Sequence, residues 1–361
     1  MMNILYHLTI PSPEMPACDA VLQEVEALRG RFGGDMIYLN PNRPPCERPL
    51  CERHLPLRLP RLVFGIHKLN QLRDREADLD IHHLFNPDPF PFPVLRALRR
   101  PIVYSLTGGV GSRKPSVAFF ASCAAITVAD KRSLDRLRSW KLDNSMLVRP
   151  GVDTARFTCS PLPLRSEMKL MVGSAPWNRS QFRQKGIEAL LTAAQRSPRL
   201  RLVFLWRGVL ANDMERRVRR MNLENQVEVL NKKVDVNEVL AGVHASVVLA
   251  TDPAIIRPYP HSLMDSLAAG KPVLVSRCIP MADYVEQTGC GEIVESLDPS
   301  SILDAVEALA REYQGSQRTA QEVGQRDFSQ QAMIASFHEV YDRVLELSRM
   351  KTSVGNCNRV A

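Results

Sequence analysis

KLMVGSAPWNRSQFRQKGIEALLTAAQRSPRLRLVFL, residues 169–205, reads as one complete strand–helix–strand unit. Lys169–Val172 and Leu200–Leu205 are short aliphatic runs of strand length, and Lys185–Arg196 is an amphipathic stretch of helical length. Strands separated by a helix of this size pair in parallel through right-handed crossovers. The alternation continues downstream, with strand runs at Val227–Leu230, Ala245–Leu249, Pro272–Val275 and Gly291–Val294. Helical patterns fill the gaps at Ala211–Leu223, Val236–Ala241, His261–Ala269, Pro280–Gln287 and Pro299–Arg311.

The first half repeats the rhythm. Strand runs fall at Asn3–Leu8, Asp35–Leu39, Leu79–Phe85, Ile102–Ser105, Ala124–Val128 and Ser145–Val148. Helical patterns lie at Cys18–Arg31, Arg61–Ala77, Pro93–Leu98, Ser116–Ser122 and Lys131–Trp140, while the proline- and arginine-rich Asn40–Pro60 reads as an irregular excursion. The fold class is α/β: two Rossmann-like doubly wound domains facing across a cleft. The expected boundaries are 1–155 for the first domain and 156–328 for the second, joined around Arg149–Ser166. A long helix, Gln330–Ser348, carries Met333, Ile334, Phe337, Val340, Tyr341, Val344 and Leu345 at three-to-four spacing and is expected to pack back toward the first domain. Residues 349–361 read as a polar tail.

At 361 residues, 45% hydrophobic and 24% charged, the chain can fill two cores. A net charge of +8 suits phosphate-rich partners, among them nucleotides and anionic membrane surfaces. No apolar run is long enough to span a bilayer, and the first residues read as a strand and not a signal peptide. Cysteines 18, 46, 51, 123, 159, 278, 290 and 357 contain no CxxC pair, so neither a metal site nor a disulfide framework is expected.

In parallel sheets, ligands bind outside the carboxyl ends of the strands. The loop after Val172 offers Gly173, the cations Arg179, Arg183 and Lys185, and a helix start near Gly186, a combination suited to a diphosphate. The loop after Leu249 is stiffened by Pro253, Pro258 and Pro260, and His261-Ser262 opens a helix carrying Asp265. Free amides there could hold phosphate, and Asp265 could accept hydrogen bonds from ribose hydroxyls or simply compensate the helix dipole. In the first half, adjacent His82 and His83 point to opposite faces of a strand and cannot share a metal. LTGGVGS places Gly108, Gly109 and Gly111 after another strand but lacks the lysine of a P-loop. The basic stretch Met214–Asn222 lacks the aromatic interleaving of a nucleic-acid binder.

Several segments together resemble the family 4 glycosyltransferases of GT-B fold. VRPGVDTARF is similar to the interdomain "NGVDxxxF", and VGSAPWNRSQFRQKGIEALLTAA to "VGRLxxxKGxxxLLxA". LMDSLAAGKPVLVS is similar to "LLEAMAAGKPVVAS", FSQQAMIASFHEVYDRVL to the closing "FSWEAxAxxxxxxYxxVL", and DLDIHHLFNP to "DVVHVHNP". The resemblance covers the second domain and the linker, with the first agreeing mainly in strand rhythm.

It implies transfer of a sugar from a nucleotide diphosphate sugar, with retention of configuration and no bound metal or other cofactor. Lys185 takes the position of the family lysine on the donor phosphates, and the amides of Ser262 and Leu263 would touch phosphate or sugar. Asp265 stands as the second acid of the family's EX7E pair, near the donor ribose. Arg257 occupies the place of the first acid and Thr107 that of the "TLHG" histidine; Ser174 replaces an arginine whose task falls to Arg179 or Arg183. His83, Gly108 and Gly109 would lie on the acceptor side. The implied partners are the donor and a glycan or lipid-linked acceptor, not nucleic acid. Arg29, Arg31, Arg43, Arg48, Arg53, Arg58 and Arg61 suggest peripheral contact with anionic lipid at the cytoplasmic face. The competing readings are a non-catalytic nucleotide-sugar binder and a GT-B epimerase.

Overall fold

The computed structural model describes residues 2–9, 19–40, 59–206 and 209–357. Residues 10–18 and most of the Asn40–Pro60 excursion lie outside them, as do Arg43, Arg48, Arg53, Arg58, Cys18, Cys46 and Cys51. The described chain forms two compact units, Met1–Val148 with Ile334–Ala361, and Arg149–Met333. Each is a Rossmann-like doubly wound layer structure.

The first unit contains β1 (Ile4–Leu8), β2 (Asp35–Tyr38), β3 (Ile81–Asn86), β4 (Ile102–Leu106), β5 (Ala125–Val128) and β6 (Ser145–Leu147). They form one sheet in the order β2-β1-β3-β4-β5-β6, parallel at every pairing. The second unit contains β7 (Met168–Val172), β8 (Leu200–Leu205), β9 (Val227–Leu230), β10 (Ala245–Val248), β11 (Val273–Ser276) and β12 (Gly291–Val294). Their order is β12-β11-β10-β7-β8-β9, again all parallel. Every residue of β3, β5, β10 and β11 is buried, as expected of strands covered by helices on both faces. Each fully buried Leu, Ile or Val contributes about 1.5–3 kcal/mol of transfer free energy.

Three elements differ from the periodicity, the first being the Pro93–Leu98 pattern, which forms a 3₁₀ helix at Pro93–Ala97. The Arg61–Ala77 pattern yields a helix only at Leu69–Arg75, preceded by single 3₁₀ turns. Tyr313–Asp327 is a helix with no strong apolar pattern, because the side it buries consists mostly of small residues: Ser316, Ala320 and Gly324, with Tyr313 and Val323. A Cβ on Gly324 would lie 2.0 Å from the Leu267 carbonyl oxygen, so this helix meets the His261–Ala268 helix backbone to backbone.

The segment that opens the second unit is fastened to the segment that closes it. The Val152 amide donates to Phe328 O (2.8 Å), and the Gln330 amide donates to Val152 O (3.0 Å). Gly151 permits this approach, since a Cβ there would stand 2.7 Å from that of Met333. The final helix spans Gln330–Cys357 and so continues past Ser348. Within the first unit it buries Phe337, Val340, Tyr341 and Val344, and Tyr341 meets the Phe32 ring edge-on at 5.1 Å.

Candidate functional site

Strand order locates the site in the second unit. From β7 the chain steps to β8 and β9 on one side, then returns to place β10, β11 and β12 on the other. The loops after β7 and β10 therefore part in opposite directions, and the space above them is where doubly wound folds bind ligands. Gly173 follows β7 directly. A Cβ there would lie 2.5 Å from Ser262 Cβ and 2.8 Å from Ser262 Oγ, so a glycine is what lets the first turn of the His261–Ala268 helix sit on this loop.

Pro260 is the N-cap of that helix in an extended conformation. Leu263, Met264, Leu267 and Ala268 are buried against Val248, Val273, Val275 and Ile279 and hold the helix on the sheet. His261, Ser262 and Asp265 are half-buried and share the other face by their three-to-four spacing. The Leu263 amide donates to Pro260 O (3.0 Å) and its side chain is in the core, so it is the start of the helix near Ser262 that faces the Gly173 loop. Arg257 is half-buried in the lead-in to the helix.

The two loops are also bonded to each other. The Thr251 amide donates to Gln184 O (2.8 Å), and Gly186, with φ +65°, leaves room for the Leu249 side chain. Lys185 lies between these contacts. It is 5% exposed, and Nζ donates to Ala175 O at 3.0 Å. Burial alone pushes its ammonium down to about 8, and the carbonyl that receives Nζ is neutral. An anion at this point would supply what the carbonyl does not: a full opposite charge in a partly dry setting.

The other two loop cations are elsewhere. Arg179 reaches Asp213 (3.3 Å), a carboxylate that Arg216 also contacts, and Arg183 is exposed. The structure therefore sets Gly173 against Ser262 and ties Lys185 Nζ to Ala175 O of the same loop, while Arg179 is paired with Asp213 and Arg183 is exposed. The basic helix Ala211–Arg220 is largely neutralised, through Arg217–Glu188 (2.9 Å), Arg219–Glu215 (3.5 Å) and the Arg216–Asp213 pair.

In the first unit the residues after β4 serve the turn. The amides of Thr107 and Gly108 donate to Asn86 O (2.9 Å) and Pro87 O (3.1 Å). A Cβ on Gly108 would stand 2.5 Å from Pro87 O, and Gly109 has φ +78°. The Val110 amide donates to Ser133 Oγ (2.9 Å), while Arg136 donates to Val110 O. His83 is wholly buried: Nδ1 pairs with Tyr341 Oη (2.7 Å) and Nε2 with Ser105 Oγ (2.7 Å). Both ring nitrogens are thus engaged, Nδ1 joining β3 to the final helix and Nε2 joining it to β4. Arg61 pairs bidentately with Asp88 (2.8 and 2.6 Å) over the Phe90 ring, and Arg29 donates to Gly34 O (3.2 Å).

Among the described residues, no group of three or more His, Cys, Asp or Glu side chains is arranged to hold a metal ion, and no helix is long and apolar enough to cross a membrane. Cys123, Cys159, Cys278 and Cys290 are not joined in disulfides.

Residues 179–326 match the model of the family Glycosyl transferases group 1. No curated protein matches the chain by sequence. The solved structures similar to it include sucrose-phosphate synthase from Thermosynechococcus elongatus, with a TM-score of 0.71 and 16% identity over 96% of this chain and 100% of that one. A glycosyltransferase from Rickettsia africae has a TM-score of 0.72 at 12% identity, over 95% of this chain and 98% of that one. Anabaena HepE in complex with UDP has a TM-score of 0.65 at 13% identity, over 98% of this chain and 100% of that one. The architecture is that of GT-B glycosyltransferases.

Proposed function

We propose that this protein is a glycosyltransferase that moves a sugar, a hexose in this reading, from a nucleotide diphosphate sugar to a glycan or lipid-linked acceptor. The observation that carries the reading is the buried Lys185 ammonium, bonded to the carbonyl of Ala175 two residues past the Gly173–Ser262 contact, on the loop that leaves the strand-order reversal. Negative charge builds on the departing diphosphate as the glycosidic bond breaks. A preorganised cation and a helix start lower the free energy of that state more than that of the bound donor. Asp265, on the helix face beside Ser262, accepts hydrogen bonds from the ribose hydroxyls. With the protein's own cation on the phosphates, the reaction needs no metal, and the sequence resemblance favours retention of configuration. Arg257 and Thr107 stand where related enzymes place an acid and a histidine and are assigned to the transfer step. HepE, similar in fold, has been crystallised with UDP and with UDP-glucose, which supports a donor of this class.

Calorimetric titration with UDP, GDP and ADP tests the site. Lys185→Ala should weaken the tightest of these by roughly ten- to a hundred-fold, the value of one charge-assisted hydrogen bond of ~1.5–3 kcal/mol. The pH dependence has a definite sign. Below about 8 the free Lys185 is protonated and binding is at full strength; above it the dissociation constant rises, by up to about tenfold per pH unit. The alanine variant should lose this inflection. Unchanged affinity in Lys185→Ala overturns the assignment. Release of nucleoside diphosphate from a nucleotide sugar that requires an added glycan acceptor and is abolished in Asp265→Ala establishes transfer; release without any acceptor would be hydrolysis. Tight binding with no release from any donor and acceptor pair would make the protein a binder only.

Peripheral attachment at the inner membrane face fits the first unit, where Leu62 (56% exposed) and Ile66 (47%) follow the arginine-rich segment. Each cation near an anionic surface adds roughly 1 kcal/mol. The protein should float with phosphatidylglycerol vesicles and not with phosphatidylcholine vesicles; equal failure with both removes the membrane role.

A further inference from the structure

We propose that Trp177 is the platform on which the base of the bound nucleotide stacks, making it a positioning and specificity residue of the donor site. This rests on the donor-site reading above. Trp177 is 70% exposed, the highest value for any large apolar side chain among the described residues. Trp206 is 1% exposed and packed in the core, and Trp140 packs against the core of the first unit.

The exposure is built in. The Trp177 amide donates to Gln181 Oε1 (2.7 Å), Ser180 Oγ donates to Asn178 Oδ1 (2.7 Å), and the Gln181 amide donates to that same oxygen (3.2 Å). Two residues on, Arg179 reaches Asp213 (3.3 Å) on the helix that follows β8. The backbone on both sides of the indole is therefore anchored, and the ring is held in solvent by a structured turn.

Its position sets the ligand class. Ala175, whose carbonyl receives Lys185 Nζ, lies two residues earlier, a span of at most ~7 Å of chain. A ring carried there is within a nucleoside's length of a diphosphate held by Lys185. The flanking Arg183 is exposed. An anchored aromatic plane close in the chain to the Lys185 ammonium and the exposed Arg183 fits a flat base joined to phosphates. Every base presents a π-face, so the platform contributes affinity for several nucleotides and leaves base identity to other contacts.

The test is calorimetry on the full-length protein, its Trp177→Ala and Trp177→Phe variants, and inorganic pyrophosphate beside whichever of UDP, GDP and ADP the wild type binds most tightly. Trp177→Ala should weaken the nucleoside diphosphate roughly tenfold, Trp177→Phe should restore most of it, and pyrophosphate should bind all three proteins alike. The corresponding nucleotide sugar should weaken by the same factor as the nucleoside diphosphate. Three results overturn the assignment: unchanged nucleotide affinity in Trp177→Ala, parallel weakening of pyrophosphate, or weakening confined to the nucleotide sugar. A wild type that binds pyrophosphate but no nucleotide also overturns it while leaving the phosphate site standing. A wild type that binds none of them removes the donor site itself, and this proposal with it.

Discussion

Gly324→Ala is expected to destabilise the second unit by roughly 3 kcal/mol, at the upper end of the range for overpacking, although glycine to alanine in a helix interior ordinarily stabilises by about 1 kcal/mol. The sign reverses because the alanine methyl would lie 2.0 Å from Leu267 O, 2.2 Å from Leu267 C and 2.7 Å from Ala268 N. These are backbone atoms of the His261–Ala268 helix and cannot swing aside as a side chain can. Gln325 Nε2 also donates to Ala268 O (2.9 Å), which resists sliding one helix along the other. Gly315 is the internal control. It lies in the same helix, and a methyl there would meet nothing within 4 Å, so Gly315→Ala should raise stability slightly. For a unit of this size 3 kcal/mol is about 6–12 °C in melting temperature. Because the displaced helix carries Ser262 and Asp265, Gly324→Ala should also weaken nucleotide binding at temperatures where the protein remains folded. Equal melting temperatures for the two variants would show that the helices do not meet at Gly324.

The same glycine explains what periodicity can and cannot reveal. Strands such as Ala245–Val248 and Val273–Ser276 are buried on both sides by helices, so their burial is written as continuous aliphatic runs. Tyr313–Asp327 achieves contact by removing side chains, and a surface of Ser316, Ala320 and Gly324 has no hydrophobic signature. The donor loops are half legible for a related reason. A cation and a glycine after a strand point to an anion site, but which cation turns inward depends on sheet order. Lys185 is buried because the Thr251 amide and Leu249 bring the loop after β10 onto it, whereas Arg179 is drawn off by Asp213 on the next helix. For His82 and His83, strand alternation puts the two rings on opposite faces. It says nothing of their partners, since Tyr341 lies 258 residues away from His83.

Those two histidines, with His7, should make the first unit sensitive to acid at a pH where most proteins are stable. His7, His82 and His83 are each 0% exposed. His7 Nε2 lies 2.9 Å from His82 Nδ1, and His82 Nε2 lies 3.1 Å from Glu76 Oε1. Burial tends to raise the Glu76 carboxyl, but the amides of Arg100 and Arg99 and the contact with His82 outweigh it and hold the carboxyl low. With Glu76 ionised, His82 donates from Nε2 and accepts at Nδ1, so its ring must be neutral, while His7, which only donates from Nε2 here, is kept neutral by its burial. Burial, reinforced for His7 by the neighbouring imidazoles and Lys68, depresses all three histidines; for His82 it prevails over the pull of Glu76. In the unfolded chain each takes up a proton near pH 6.5. Below that value the unfolded state binds up to three protons that the folded state refuses, so stability falls as pH falls, by as much as ~4 kcal/mol per pH unit. Glu76 acts in the same direction lower down, since its stabilisation is present above its unfolded value near 4.5 and is lost as pH drops through its depressed folded one. Denaturant unfolding from pH 7.5 to 5 should therefore show a steep loss of stability. Hydrogen exchange should place the first opening in β1 and β3, and His83→Phe should reduce the slope by about one proton. A stability that stays level between pH 7.5 and 5.5 would mean that these rings are charged or solvated in the fold.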